Sequence, residues 1–196
     1  TQGVSSAASD VYKRQGFVSL LYSVNQTVMS AYLVSHLNLG VGLSLVAAGA
    51  IFASGQFAGM AGRIIWGLSA DLWIKPRTQI GLLGVVGGLC GITVSMFSAE
   101  WPQVVMGVVC VLFGFSAVSW NGIFLAEVAR LAAQRDPGSI GAMTAGTGVF
   151  NNLGALCGPG LASVLVAVTG GYSVGFVVFA IPALLLGAKL VLTRMD

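Results

Sequence analysis

The chain has 196 residues, 56% of them hydrophobic and only 8% charged, with a formal net charge of +3. A water-facing surface needs about a quarter of residues charged, so this composition excludes an ordinary soluble domain and places the chain in lipid. So small a net charge gives no sign of a nucleic-acid partner, and none is expected.

In chain order, Ser6 to Gln15 read "SAASDVYKRQ", hydrophilic and charged, directly before an apolar run that begins at Gly16. The charges follow Ser and Ala, so this is no secretory signal, which needs a basic region first. The stretch resembles the translation of a transposon adapter used in sequencing libraries. Residues 1–15 are therefore expected to be non-native and are set aside from the fold; on that reading the natural protein continues upstream.

Six apolar stretches follow, at about 16–37, 44–70, 78–98, 102–126, 139–168 and 172–193. Each is near the roughly 20 residues that cross a bilayer as a helix. Turn chemistry separates them: Asn38-Leu39-Gly40, Asp71 to Arg77 with Pro76, Glu100-Trp101-Pro102, Arg135-Asp136-Pro137-Gly138 and Gly170-Gly171. No ten-residue segments alternate in polarity and Gly and Ala are abundant, so a β-barrel is not expected. The 28 glycines suit helices in close contact. Cys90, Cys110 and Cys157 lie inside apolar runs and are expected to be reduced packing residues.

Cations set the orientation. The second break carries Lys75 and Arg77, the fourth Arg135 with Arg130 before it, and the C-terminus Lys189 and Arg194. The other breaks have no Lys or Arg and offer only His36 and Glu100. The positive-inside rule therefore predicts a multi-pass protein of the cell (inner) membrane with a cytoplasmic C-terminus.

Polar residues sort by span. The first holds Asn25 and Gln26, the second Gln56 and Arg63. The fourth holds Asn121, Glu127 and Arg130, and the fifth Asn151 and Asn152; the third and sixth have no Asn or Gln within these bounds apart from Gln79 at the third's start. Carboxamides avoid hydrocarbon unless they face protein or a wet cavity. Spans one, two, four and five should line an interior, with three and six facing lipid. Two triplets of that kind, inverted about a midplane site, mark many secondary transporters.

"GRIIWGLSADLWIKPR", Gly62 to Arg77, resembles the motif in the cytoplasmic loop after the second and eighth helices of major facilitator superfamily transporters. Gly67, Ala70, Asp71 and Lys75 match, and Arg77 adds charge; Leu72 and Ile74 depart from the pattern. "WNGIFLAEVARLA" (Trp120 to Ala132) and "GPG" (Gly158 to Gly160) are similar to that superfamily's tenth and eleventh helices. The resemblance implies an all-α domain equal to helices seven to twelve, one half of a twelve-helix bundle built of 3+3 inverted repeats. It also implies alternating access, a small-molecule substrate, a coupling ion and a facing N-terminal six-helix half. A six-helix half that dimerises is the alternative.

Two residues carry sharper readings. The resemblance implies that Asp71 caps a neighbouring helix, with the fifth span's positive N-terminal end at Gly138-Ser139 as the candidate, or pairs with an Arg, when the cytoplasmic side is shut; otherwise it is an ordinary loop residue. Arg63 lies about 12 Å deeper than Asp71 along the second span. It either pairs with Glu127, which sits at similar depth, or anchors an anion, as an Arg at the matching place does in carboxylate transporters of this superfamily. The second reading makes the substrate an organic anion. Asn25, Gln26, Gln56, Asn121, Asn151 and Asn152 are substrate-cavity candidates with Arg63; as plain interhelical hydrogen bonds each would contribute roughly 1 kcal/mol or less.

An enzyme is not expected. Gly114-Phe115-Ser116-Ala117 resembles a rhomboid-type protease motif, but the single histidine, His36, precedes the Ser and falls in an outer loop. No metal cluster, phosphate loop or CxxC pair is present in the sequence, so no cofactor is expected.

Overall fold

The computed structural model describes residues 2–72, 74–134 and 137–193, with side chains described at 13–69, 74–134 and 137–193. Seven α-helices follow in order: α1 Gln2–Ser35, α2 Leu45–Leu72, α3 Pro76–Ser95, α4 Gln103–Ala117, α5 Trp120–Ala133, α6 Ile140–Thr169 and α7 Ser173–Leu192. No strand occurs among the described residues. With α4 and α5 counted as one crossing, six helical segments are long and apolar enough to span a membrane.

Local chemistry sets the ends. Lys75 is extended ahead of Pro76, which opens α3 with its ring pre-set for the first turn. α6 stops at Gly170, whose N–H bonds the Val166 carbonyl and whose φ of +71° turns the chain out of the helix. After α1 the backbone widens into one π-type turn, His36–Gly40. Asn38 Nδ2 then donates to the Leu43 carbonyl at 2.7 Å and closes the loop.

The fourth span differs from its expected form. It continues to Ala133 instead of ending near 126, and it breaks at Val118-Ser119. Ser116 donates to the Leu112 and Phe113 carbonyls at 2.9 and 3.0 Å, and Ser119 to the Phe115 carbonyl. Hydroxyls bonded back onto their own helix compete with its ladder and bend it.

Three helix pairs dominate the packing: α1 on α6, α2 on α4, and α3 on α7. Small residues permit the close approach. A Cβ added to Gly187 of α7 would lie 2.6 Å from both the Gly81 carbonyl oxygen and the Val85 nitrogen of α3. At the α2–α4 crossing, Gly55 and Gly114 meet backbone to backbone. One apolar cluster (Met29, Leu33, Val94, Phe113, Phe176) fills one end of the bundle, and a second (Tyr22, Leu83, Trp120, Phe124, Val128) fills the other.

The third span is more enclosed than expected. It lies against α4, α5 and α7 and is 56% buried over its most apolar window, against 28% for the second span and 17% for the fifth. Its glycines explain this, because they let α3 sink between its neighbours. Large exposed residues of α3 and α7, among them Val86, Leu89, Ile181 and Leu185, are apolar, as are most of those on α2 and α6, and Gln79 of α3 is buried.

Candidate functional site

Gln26 and Asn121 meet at the α4–α5 break, with Asn151 close by. Trp120 Nε1 donates to Gln26 Oε1 at 3.0 Å, and Asn121 Nδ2 donates to the same oxygen at 3.1 Å. This ties the first turn of α5 to α1. Asn121 also lines a cleft of about 90 Å³ with Ser19, Phe124, Leu125, Thr147, Gly148 and Asn151. Its walls come from α1, α5 and α6, and none of these side chains is charged. Ser19 Oγ donates to the Thr147 carbonyl at 3.3 Å, and Ser23 Oγ to the Asn151 carbonyl at 2.7 Å, so the cleft stands on a fixed α1–α6 seam.

The other candidates diverge. Asn25 is buried and lines a small gap with Tyr22, Gly84 and Ser116, directed toward α3 rather than into the cleft. Its amide lies beside Gly87 and Gly91 of α3. Gln56 is partly buried with Nε2 sealed from solvent and without a hydrogen-bond partner. Asn152 is exposed on α6.

Arg63 and Glu127 do not pair. Arg63 is exposed, and its Nε donates to the Val118 carbonyl at 3.3 Å, across the α2–α4 contact. That carbonyl sits at the helix break, where the ladder is interrupted. Glu127 is held instead by Arg130, three residues on: Nε to Oε2 at 2.7 Å and a terminal guanidinium nitrogen to Oε1 at 2.8 Å. The two parallel bonds satisfy a carboxylate whose side chain is only 6% exposed. The neighbour one turn away therefore compensates the charge. Depth along two helices placed Arg63 and Glu127 at one level, but ignored the direction in which each side chain leaves its helix.

At the same end, Arg77 donates from a terminal nitrogen to Thr193 Oγ1 at 3.0 Å, linking the starts of α3 and the end of α7. Lys75 is exposed and Gly67 partly buried. The Ala70 and Asp71 side chains, and with them the expected helix cap, lie outside the described residues, as do Arg135, Asp136 and Arg194.

His36 is not a loop residue in character. It is buried in the turn after α1, with Nε2 2.9 Å from the Val94 carbonyl oxygen and its ring 5.3 Å from that of Phe176. Ser116 is bonded to its own helix, so the two residues of the protease-like reading have separate partners. Among the described residues no group of His, Cys, Asp and Glu could hold a metal ion.

Sequence reasoning passed over Ser19, Ser23, Thr147 and Trp120. A signal was available: Ser19, Ser23 and Thr27 recur every fourth residue, one face of a helix, as do Thr147 and Asn151. No protein-family model and no curated protein matches the chain.

Proposed function

We propose that the chain is one six-helix half of a secondary transporter that works by alternating access, and that its substrate is a small organic anion. The observation that carries the reading is Arg63: an exposed guanidinium on a span-length helix, whose described bond goes to a backbone carbonyl while Glu127 is satisfied elsewhere. A cation at that depth requires an anion, a wet cavity or a partner helix. Arg63 on α2 and Asn152 on α6 are both exposed, and α2 and α6 are, with α7, the less covered spans. Exposed faces on these helices leave room for a facing half.

The helix pairing adds support. Exchanging spans one with four, two with five, and three with six turns the α1–α6 contact into the α2–α4 contact and leaves α3–α7 unchanged. A 3+3 repeat has that property. On the major-facilitator reading the charged end with Lys75, Arg77 and Arg130 is cytoplasmic, and the coupling ion and the second half come from the rest of the transporter.

The test is counterflow of labelled small carboxylates in proteoliposomes that hold the full-length natural gene product. Arg63→Gln should abolish it, and Arg63→Lys should retain a minor fraction, because an ammonium cannot form the two parallel bonds of a guanidinium. Transport unchanged in Arg63→Gln overturns the anion reading. DNA upstream of Gly16 that opens with a start codon would replace the second half with a second copy of this chain.

A further inference from the structure

The bonds around Gln26 fix more than a contact between helices. An indole N–H can only donate, so the Gln26 atom 3.0 Å from Trp120 Nε1 has to be the oxygen. That oxygen also receives Asn121 at 3.1 Å, so the Asn121 atom facing it has to be the amide nitrogen. Two donors use both lone pairs of Gln26 Oε1. The orientation of both carboxamides is thus dictated by one obligate donor.

Trp120 is itself immobile. It is 1% exposed, edge-on to Tyr22 with ring centres 5.5 Å apart and to Phe124 at 5.3 Å. The atoms left over are Gln26 Nε2, with two protons to give, and Asn121 Oδ1, which can only accept. Neither atom has a partner among the described residues, and neither is among the polar atoms sealed from solvent.

We infer that Gln26 Nε2 and Asn121 Oδ1 form a donor–acceptor subsite, oriented by Trp120, that binds a neutral hydroxyl or carboxamide group on the transported molecule. The inference rests on the transporter reading above and deepens it. A hydroxyl accepts from Gln26 and donates to Asn121 at once; a carboxamide does the same through its two ends. The cleft of about 90 Å³ that Asn121 lines has uncharged walls, so it favours a neutral polar group over an ionised one. Its volume is well above the roughly 10–15 Å³ one water needs, yet it holds a substituent rather than a whole metabolite. The ligand's charged end belongs elsewhere, and Arg63 bonds the Val118 carbonyl, three residues before Asn121, at the same helix break. Trp120 is a positioning residue: it touches Gln26 and not the ligand.

Matched acid pairs test this in proteoliposomes of the full-length transporter: malate against succinate, and glycolate against acetate, each as competitor of carboxylate counterflow. A site built to bond a hydroxyl rejects the analogue that lacks it, so the hydroxylated member should compete at least about 10-fold better. Trp120→Phe removes the orienting donor and Asn121→Leu removes the acceptor; each should bring the ratio to within about 2-fold, and Asn121→Gln should restore part of it. The ratio is read within one protein, so a loss of folded material does not imitate it. Equal competition by both members in the wild type, with Arg63→Gln still abolishing binding, overturns this subsite and leaves the anion reading standing. A ratio that persists in both Trp120→Phe and Asn121→Leu overturns it too. If no acid competes, the anion reading fails, and glycerol against its trimethyl ether decides the subsite: no preference overturns it.

Discussion

The α3–α7 seam and the α2–α4 seam use the same residue types in different company. Along the first, Gly81, Gly84 and Gly88 of α3 draw α7 in until side chains and backbone touch, and the exposed large residues are apolar. Along the other, Gly55, Gly59 and Gly62 of α2 draw in α4, and the exposed residues of α2 are again largely apolar (Phe57, Met60, Ile64, Leu68) but include Arg63. Glycine therefore says that a helix is packed and nothing about what lies on its other side. The outward residues say that. An apolar outward side suits lipid; a polar one suits water or protein.

The α3–α7 seam is the place to break first. In Gly187→Val the added carbons meet backbone atoms of α3, which cannot rotate away, so the pair has to separate. A loss of at least about 3 kcal/mol is expected, at the top of the range for overpacking. Thermal unfolding in detergent, followed by size exclusion, checks it.

A matched pair of substitutions compares the two outward sides directly. Leu185 on α7 and Met60 on α2 are 65% and 61% exposed. Leu185→Arg should cost about 2.5–3.5 kcal/mol of insertion free energy if that side faces hydrocarbon. Met60→Arg should cost under about 1 kcal/mol if that side of α2 is wet or protein-facing. Equal penalties in a membrane-insertion assay would remove the distinction.

Next comes the ion pair. Arg130→Ala strips Glu127 of its partner and should cost about 1–3 kcal/mol, less than for a wholly buried pair because Arg130 is half exposed. Adding Glu127→Leu should recover most of that loss. Charge exchange between Arg63 and Glu127 should recover nothing, since they do not pair. Chemical denaturation of the single, double and exchanged variants separates these outcomes.

The smallest effect belongs to the α1–α6 seam. Ser23→Ala deletes the 2.7 Å bond to the Asn151 carbonyl, an interhelical bond in a membrane protein, and should cost about 0.6 kcal/mol. A melting shift of a degree or two is the readout.

Six spans were legible from the sequence because apolar length alone specifies them. The break in the fourth was not. Val118-Ser119 contains neither Pro nor Gly, and the bend comes from serine hydroxyls whose choice of acceptor depends on the packed helix. Gln26 and Asn121 were legible as polar residues in lipid, but their meeting needs the rotation of α1 about its axis, which composition does not carry. The sharpest misreading was Arg63 with Glu127, although Arg130 stood one turn from Glu127 in the sequence. A local i, i+3 partner costs less conformational order than one on another helix, and should be tried first. His36 was placed by its neighbours' turn chemistry, and its own burial against Phe176 depended on a contact between distant spans.

The helix lengths themselves have a consequence for the membrane. α3 and α7, at 20 residues each, are about 30 Å long, close to the hydrocarbon thickness of a bilayer. α2 and α6, at 28 and 30 residues, are about 42 and 45 Å long. The short pair can stand near the membrane normal, while the long pair has to lean or to reach past the headgroups. Thinning the bilayer with shorter acyl chains therefore presses on the two classes unequally: it takes the upright pair out of match and makes it lean, while it adds only a little to the lean of α2, the helix that carries Arg63.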